Sequence, residues 1–227
     1  MEQTSDVHNR ILQAARKLFF ANGYAKTQLR VIAAKAGTSE SGVLRIFASK
    51  MFLLRAVCDS CWAEINAEVD KALASISGRD SDPRNLLIEI TRTVLHFAQT
   101  NKPLMTFLYT HFASPEAIGY IPQDEGFDAP NLSSVGKEFQ RYYDRLELLC
   151  NAVVENNPGF KAAGVTPQAM QVFVQAGIYG IQASWYLAEQ ARMPDSCRVS
   201  IEEMVACLHC FLYAETQLQS TGGRDGF

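Results

Sequence analysis

TQLRVIAAKAGTSESGVLRIFASK, residues 27–50, is the stretch that decides the fold. Leu29, Ile32, Ala33 and Ala36 recur at helical spacing behind Thr27, a residue that caps helix starts. Gly37 then breaks the run, and Ser39 caps a second short helix. Residues 27–47 therefore predict helix, tight turn, helix, with the turn at Ala36-Gly37-Thr38 and Gly37 supplying the positive φ that a sharp turn requires. Ile32, Ala33, Val43 and Phe47 form the small core between the two helices. This is the helix-turn-helix plan, in which the second helix enters the major groove and its first side chains meet base edges. Thr27, at a helix start, offers a hydroxyl and free backbone N–H groups to a phosphate, and Ser49-Lys50 does the same at the next helix.

Working outward, the punctuation is helical on both sides. Ser5 or Asp6 starts a helix carrying Ile11, Leu12, Ala15, Leu18 and Phe19, which Gly23 ends as a left-handed stop. Ser49 caps a long fourth helix that runs towards Gly78. Asp82-Pro83, Ser114-Pro115 and Thr166-Pro167 each set a capping side chain before a first-turn proline. Ser200 and Glu203 form a capping box for a final helix to about Gln219. Residues 121–131 (IPQDEGFDAPN) read as a loop, and residues 220–227 (STGGRDGF) as a disordered tail. Alternating strand patterns are absent. The expected class is all-α: a DNA-binding domain over 1–50, a larger helical domain over 51–219 and the tail.

Charge separates along the same boundary. The whole chain is −3 at neutral pH. Residues 1–55 nevertheless hold nine Lys and Arg against three Asp and Glu, a net of +6, and the remainder holds twelve against twenty-one, a net of −9. A basic head on an acidic body confines the polyanion partner to the head. The polar start MEQTSDVHNR, with both charge signs, is unlike a secretion signal, and no run of about 18 apolar residues exists. The expectation is a cytoplasmic protein with no membrane partner.

The motif's surroundings strengthen it. Ile11 to Phe19 (ILQAARKLF), Gly23-Tyr24, Thr27, Ile32-Ala33, Ala36-Gly37, Ser39, Phe47, Ser49-Lys50 and Leu53-Leu54 together resemble the amino-terminal domain of the tetracycline-repressor (TetR) family. The resemblance covers roughly the first quarter of the chain. It implies a supporting helix over 27–36 and a recognition helix over 39–46 opened by Ser39. Base-edge contacts then fall to Thr38, Glu40, Ser41 and Arg45, and phosphate contacts to Thr27, Arg30 and Lys50. This chain departs from the family in having Leu44 where a Tyr is usual, Ser41 where Gly is frequent, and Gly42 where Thr, Ser or Asn is frequent. The loss of the Tyr hydroxyl removes a phosphate contact, and Gly42 inside a short helix costs about 1 kcal/mol against Ala.

Beyond residue 60 the resemblance implies a long fourth helix that couples the head to an effector pocket, and two last helices that pair with a second copy. Small residues Ala169, Ala176, Gly177, Gly180, Ser184 and Ala188 on the helix after Pro167 permit a close helix approach, either to that copy or within the chain. With Phe173 on one helix and Cys207, Cys210 and Ala214 on the other, they make the expected homodimer face. On the last helix, Ile201, Met204, Val205, Leu208, Phe211 and Leu212 make the core stripe. Phe97, Met105, Phe107, Tyr109, His111, Phe112, Tyr142, Phe173, Tyr179 and Trp185 suit a pocket for a small apolar or aromatic effector; plain core packing is the other reading of the same aromatics.

The cysteine pairs Cys58/Cys61 and Cys207/Cys210, the latter enclosing His209, raise metal or thiol sensing. About 150 residues of separation are unlike a compact zinc module, and buried cysteine serves as a small hydrophobe. No metal or cofactor is expected. Phosphate-binding glycine loops, His-Glu-x-x-His and nucleophile elbows are missing, so the chain is not read as an enzyme. The resulting expectation is a DNA-binding regulator, a ligand-released repressor that meets a palindromic double-stranded operator as a homodimer. The alternatives are a degenerate relative, a helical small-molecule-binding protein without operator binding, or a helical enzyme.

Overall fold

The computed structural model describes residues 2–76, 82–112, 137–190 and 199–221, which form helices and turns with no strand among them. In chain order the helices are α1 (Glu2–Asn22), α2 (Leu29–Ala36), α3 (Glu40–Phe47), α4 (Lys50–Ile76), α5 (Pro83–Thr100), α6 (Lys102–Phe112), α7 (Lys137–Glu155), α8 (Pro158–Ala162), α9 (Pro167–Gln190) and α10 (Ile201–Thr221). No described helix is long and apolar enough to cross a membrane. The Ser114-Pro115 start and the 121–131 loop expected from sequence lie outside the described residues.

Side-chain caps set most of the helix starts. Ser39 Oγ accepts from Gly42 N at 3.1 Å, and Ser49 Oγ accepts from Phe52 N at 3.3 Å. Asp82 accepts from Arg84 N ahead of Pro83, and Thr166 accepts from Ala169 N ahead of Pro167. Ser200 and Glu203 satisfy each other's backbone N–H in a reciprocal box. Each bond satisfies a donor that a helix start leaves orphaned, worth typically about 1 kcal/mol. The first and last helices both extend beyond expectation. α1 begins at Glu2, ahead of Ser5 and Asp6. α10 continues to Thr221, into the stretch read as tail.

The chain divides into two compact units: Met1–Glu64 with Asn101–Arg141, and Ile65–Thr100 with Tyr142–Phe227. The boundary expected at residue 50 therefore falls inside the first unit. There Ile11, Ala15, Phe19, Ile32, Val43, Leu53, Val57 and Cys61 are buried. α6 closes this core, with the Phe107 ring 4.9 Å from Phe20 and 6.3 Å from Phe19. A two-pronged Arg16–Glu64 pair ties α1 to α4.

In the second unit Leu87, Ile90 and Leu95 of α5 are buried, as are Leu146 of α7, Met170 and Val174 of α9, and Leu208 and Leu212 of α10. Tyr213 of α10 donates to Asn85 at 2.7 Å, and Arg84 lies over its ring at 4.1 Å. Of the stripe assigned to core on α10, Ile201, Val205, Leu208 and Leu212 are buried, whereas Phe211 is exposed and packs its ring at a tilt against Phe173, centroids 4.5 Å apart.

Candidate nucleic-acid interface

α2 and α3 are held by their ends as well as their cores. Gly37 sits at φ 69°, ψ 39°, and the N–H groups of Gly37 and Thr38 donate to Ala34 and Ala33 carbonyls. This is a Schellman stop, open to glycine because no Cβ crowds the left-handed backbone. Arg10 of α1 donates from Nε to the Ala36 carbonyl at 3.2 Å, placing a cation at the negative end of α2. The buried Ile32, Ala33, Val43 and Phe47 make the expected core between the two helices, and His8 stacks on Phe47 at 4.8 Å.

Gly42 has a reason at the same junction. It is buried, and a Cβ there would stand 2.5 Å from Thr38 Oγ1 and 3.3 Å from Ser39 Oγ. The first turn of α3 therefore packs onto the turn before it. At the far end Ala48 takes φ 57°, ψ −42°, and Ser49 N donates back to Phe47 O at 2.6 Å. A non-glycine residue in this tight γ-turn carries backbone strain.

These constraints leave Ser39, Glu40, Ser41, Leu44 and Arg45 exposed on α3 and its cap, with Thr38 half-buried beside them. Lys50 opens α4 with its ammonium 4.3 Å from the Tyr24 ring centre and donating to the Ala25 carbonyl at 3.4 Å. Partial burial there lowers its pKa. Arg30 is exposed and donates to Gln28 Oε1 at 2.6 Å.

Thr27 is placed differently from the sequence reading. It is 3% exposed, and its hydroxyl donates to the Gly23 and Leu18 carbonyls, so it fastens α2 to α1 instead of facing a phosphate. Gln28, exposed in extended conformation, occupies the cap position of α2 without a capping bond. Sequence reasoning missed Gln28, Tyr24 as the seat of Lys50, and Arg10 as the stop of α2. Gln28 alone left a local signal, a polar residue directly before the helix.

The residues expected to line an effector pocket do not share one environment. Met105 and Phe107 are core of the first unit. The side chains of Tyr109, His111 and Phe112 lie outside the described residues. Phe173 is 48% exposed beside Phe211, so it faces outward. In the second unit Tyr142 is buried, Phe97 and Trp185 are half-buried, and Trp185 Nε1 donates to Val199 O at 2.8 Å. Tyr179 instead joins a polar group that sequence did not single out. Tyr143 Oη donates to Gln175 Oε1 at 3.1 Å, and Gln171 donates to the Tyr143 carbonyl. Burial raises the Tyr142, Tyr143 and Tyr179 phenols, and Tyr143 and Tyr179 are hydrogen-bonded. Gln175 Nε2 and Gln182 Nε2 are buried donors without a partner among the described residues.

The small-residue stripe of α9 splits in two. A Cβ at Gly177 would strike Met204 Cε, so this glycine serves a close crossing of α9 with α10 of the same chain. Gly180 is exposed with open space around it among the described residues, Ala169 and Ala176 are exposed, and Ser184 is half-buried and donates to Ile181 O. Cys207 and Cys210 are exposed, and the Ala214 side chain lies outside the described residues. Cys58, Cys61 and Cys150 are buried, which pushes the Cys61 and Cys150 thiols up to about 12. No group of three or more potential metal ligands occurs among the described residues.

Residues 11–57 match the family described as "Bacterial regulatory proteins, tetR family". Among solved structures, the fatty acid degradation regulator FadR from Bacillus halodurans is similar at 14% identity over 90% of this chain and 93% of that one, TM-score 0.60. FadR from Bacillus subtilis in complex with stearoyl-CoA gives 14%, 89%, 94% and 0.56. NalD, the secondary repressor of the MexAB-OprM multidrug efflux pump in Pseudomonas aeruginosa, gives 19%, 91%, 96% and 0.57. At such identities the likeness is one of fold. No curated protein matches the chain by sequence.

Proposed function

We propose, for a chain that belongs by its residues 11–57 to the tetR family of bacterial regulatory proteins, the work of a ligand-released repressor that grips a palindromic operator as a homodimer. The observation that carries this reading is the exposed Ser39-Glu40-Ser41-Leu44-Arg45 arc of α3, fixed by a Schellman turn and a serine cap in the basic part of the chain. Side chains so held can meet base edges, with Thr38 at their margin, while Arg30 and Lys50 meet phosphates.

The dimer reading is supported on α9 and α10 of the second unit. Val172, Phe173, Tyr186 and Phe211 are large and exposed, and Gly180, Cys207 and Cys210 leave the same helices open to close approach. An isologous contact is the usual solution for two copies. The effector reading is supported by the group of buried Tyr142 with half-buried Tyr143, Gln175 and Tyr179, where the spare buried amide donor of Gln175 suits a ligand with an acceptor oxygen on an apolar body.

Selection of binding sites from random duplex DNA by the full chain tests the first half. Recovery of a symmetric sequence is the expected outcome, and recovery of none would end the regulator reading. Stearoyl-CoA, present in one structural neighbour, is the first effector probe. Release of DNA requires unequal affinity for the DNA-competent and incompetent shapes. Compounds that raise the melting temperature without ever changing operator affinity would leave a DNA-binding protein that no ligand controls.

A further inference from the structure

The outward arc of α3 carries one apolar side chain among polar ones. Leu44 is 39% exposed, one turn beyond Ser41 and next to Arg45, both also exposed. Gly42, Val43 and Phe47 are the buried residues of α3, and Leu44 is not among them. A leucine left in water forgoes part of its transfer energy, which is recovered when an apolar group covers it. Major-groove edges offer hydrogen-bonding atoms and a single apolar group, the C5 methyl of thymine. Ser41, Glu40 and Arg45 match the former; on α3, Leu44 alone matches the latter. The net +6 of residues 1–55 favours a polyanion over an apolar protein partner at this face.

We propose that Leu44 is a specificity residue that packs against one thymine methyl in each half-site. The proposal rests on the DNA-binding reading above and deepens it. Leu44 is predicted to fix a T·A pair next to the position met by Arg45, a preference that hydrogen bonding alone would not impose.

The test uses the full chain and an operator recovered by selection from random duplexes. Each thymine is replaced singly by deoxyuridine, which removes the methyl and keeps every hydrogen-bonding atom, and affinity is read by anisotropy at fixed salt. At one thymine per half-site the loss should be about fourfold, the worth of one buried methyl, with about fifteenfold when both half-sites are altered. Leu44→Ala, at an exposed position, should fold and melt as the parent does, bind about as weakly as the parent on the uracil operator, and lose no more on that operator. An operator indifferent to uracil at every position would overturn the role of Leu44 while leaving operator binding standing. So would a uracil penalty that persists undiminished in Leu44→Ala. A selection that yields no preferred sequence would remove the regulator reading and this inference with it.

Discussion

Lys50 and Arg45 are both cationic, yet their settings predict different losses. Lys50 is docked on Tyr24 at the start of α4, a position suited to a phosphate. Lys50→Ala should weaken specific and random DNA alike, and across a dimer should flatten the slope of log affinity on log salt by about 2. Arg45 is exposed on the arc, and its removal should instead relax preference at one base position, by about 1–3 kcal/mol for a good bidentate contact. Equal losses on all sequences for both variants would make Arg45 a backbone contact. Ala48, at φ 57°, makes a stability prediction of its own. Ala48→Gly should raise stability by about 1 kcal/mol, because relief of strain exceeds glycine's extra chain entropy; a thermal melt that falls would disprove it. The helix-turn-helix itself was legible from caps and spacing, whereas Thr38, Glu40, Ser41 and Arg45 were singled out by the family resemblance. Thr27 was not legible: the same cap-like threonine before a helix can turn its hydroxyl inward, and only the Gly23 and Leu18 carbonyls decide that.

Between one helix and the next, the turn and α3 are coupled through Gly42 and Thr38. Gly42→Ala would ordinarily stabilise a helix by about 1 kcal/mol. Here its Cβ meets Thr38 Oγ1 at 2.5 Å, so the substitution should destabilise, and a Thr38→Ala background should restore the gain. Additive effects in denaturant titrations of the two single variants and the double would contradict the contact. At the start of α5, the Arg84 guanidinium holds the Asp82 carboxyl below its ordinary value. A carboxylate with a depressed folded pKa contributes stability above the unfolded value near 4, and loses it as pH falls through the folded one. The melting difference between the parent and Asp82→Asn should therefore shrink below pH 4; a constant difference would show that charge plays no part. Caps of this kind were legible because each is local, side chain to backbone within three residues. Gly177 was ambiguous for the opposite reason: a small residue in a helix announces a close neighbour without saying whose, and Met204 of the same chain supplies the answer.

At the scale of the whole molecule, Gly180→Glu separates assembly from folding. Among the described residues the space around Gly180 is open, so the charge should leave the protomer folded while sedimentation reports monomers and operator affinity falls. Cys207 and Cys210, exposed in the protomer, should alkylate slowly in the dimer and quickly in that variant, whereas buried Cys58, Cys61 and Cys150 stay slow in both. A folded variant that remains dimeric would move the interface off α9. Fold class was legible at this scale from periodicity alone, but the extent of the first unit was not, because nothing in the local pattern ties α6 to α1. That tie bears on the order in which the protein is made. Residues 1–50 leave the ribosome with their helices and turns fully encoded, yet Phe19 and Phe20 lack their cover until Phe107 follows, almost ninety residues behind Phe19. The α1–α3 segment is thus synthesised well before its core can be closed, and a nascent chain stalled before α6 would leave Phe19 and Phe20 without their aromatic cover.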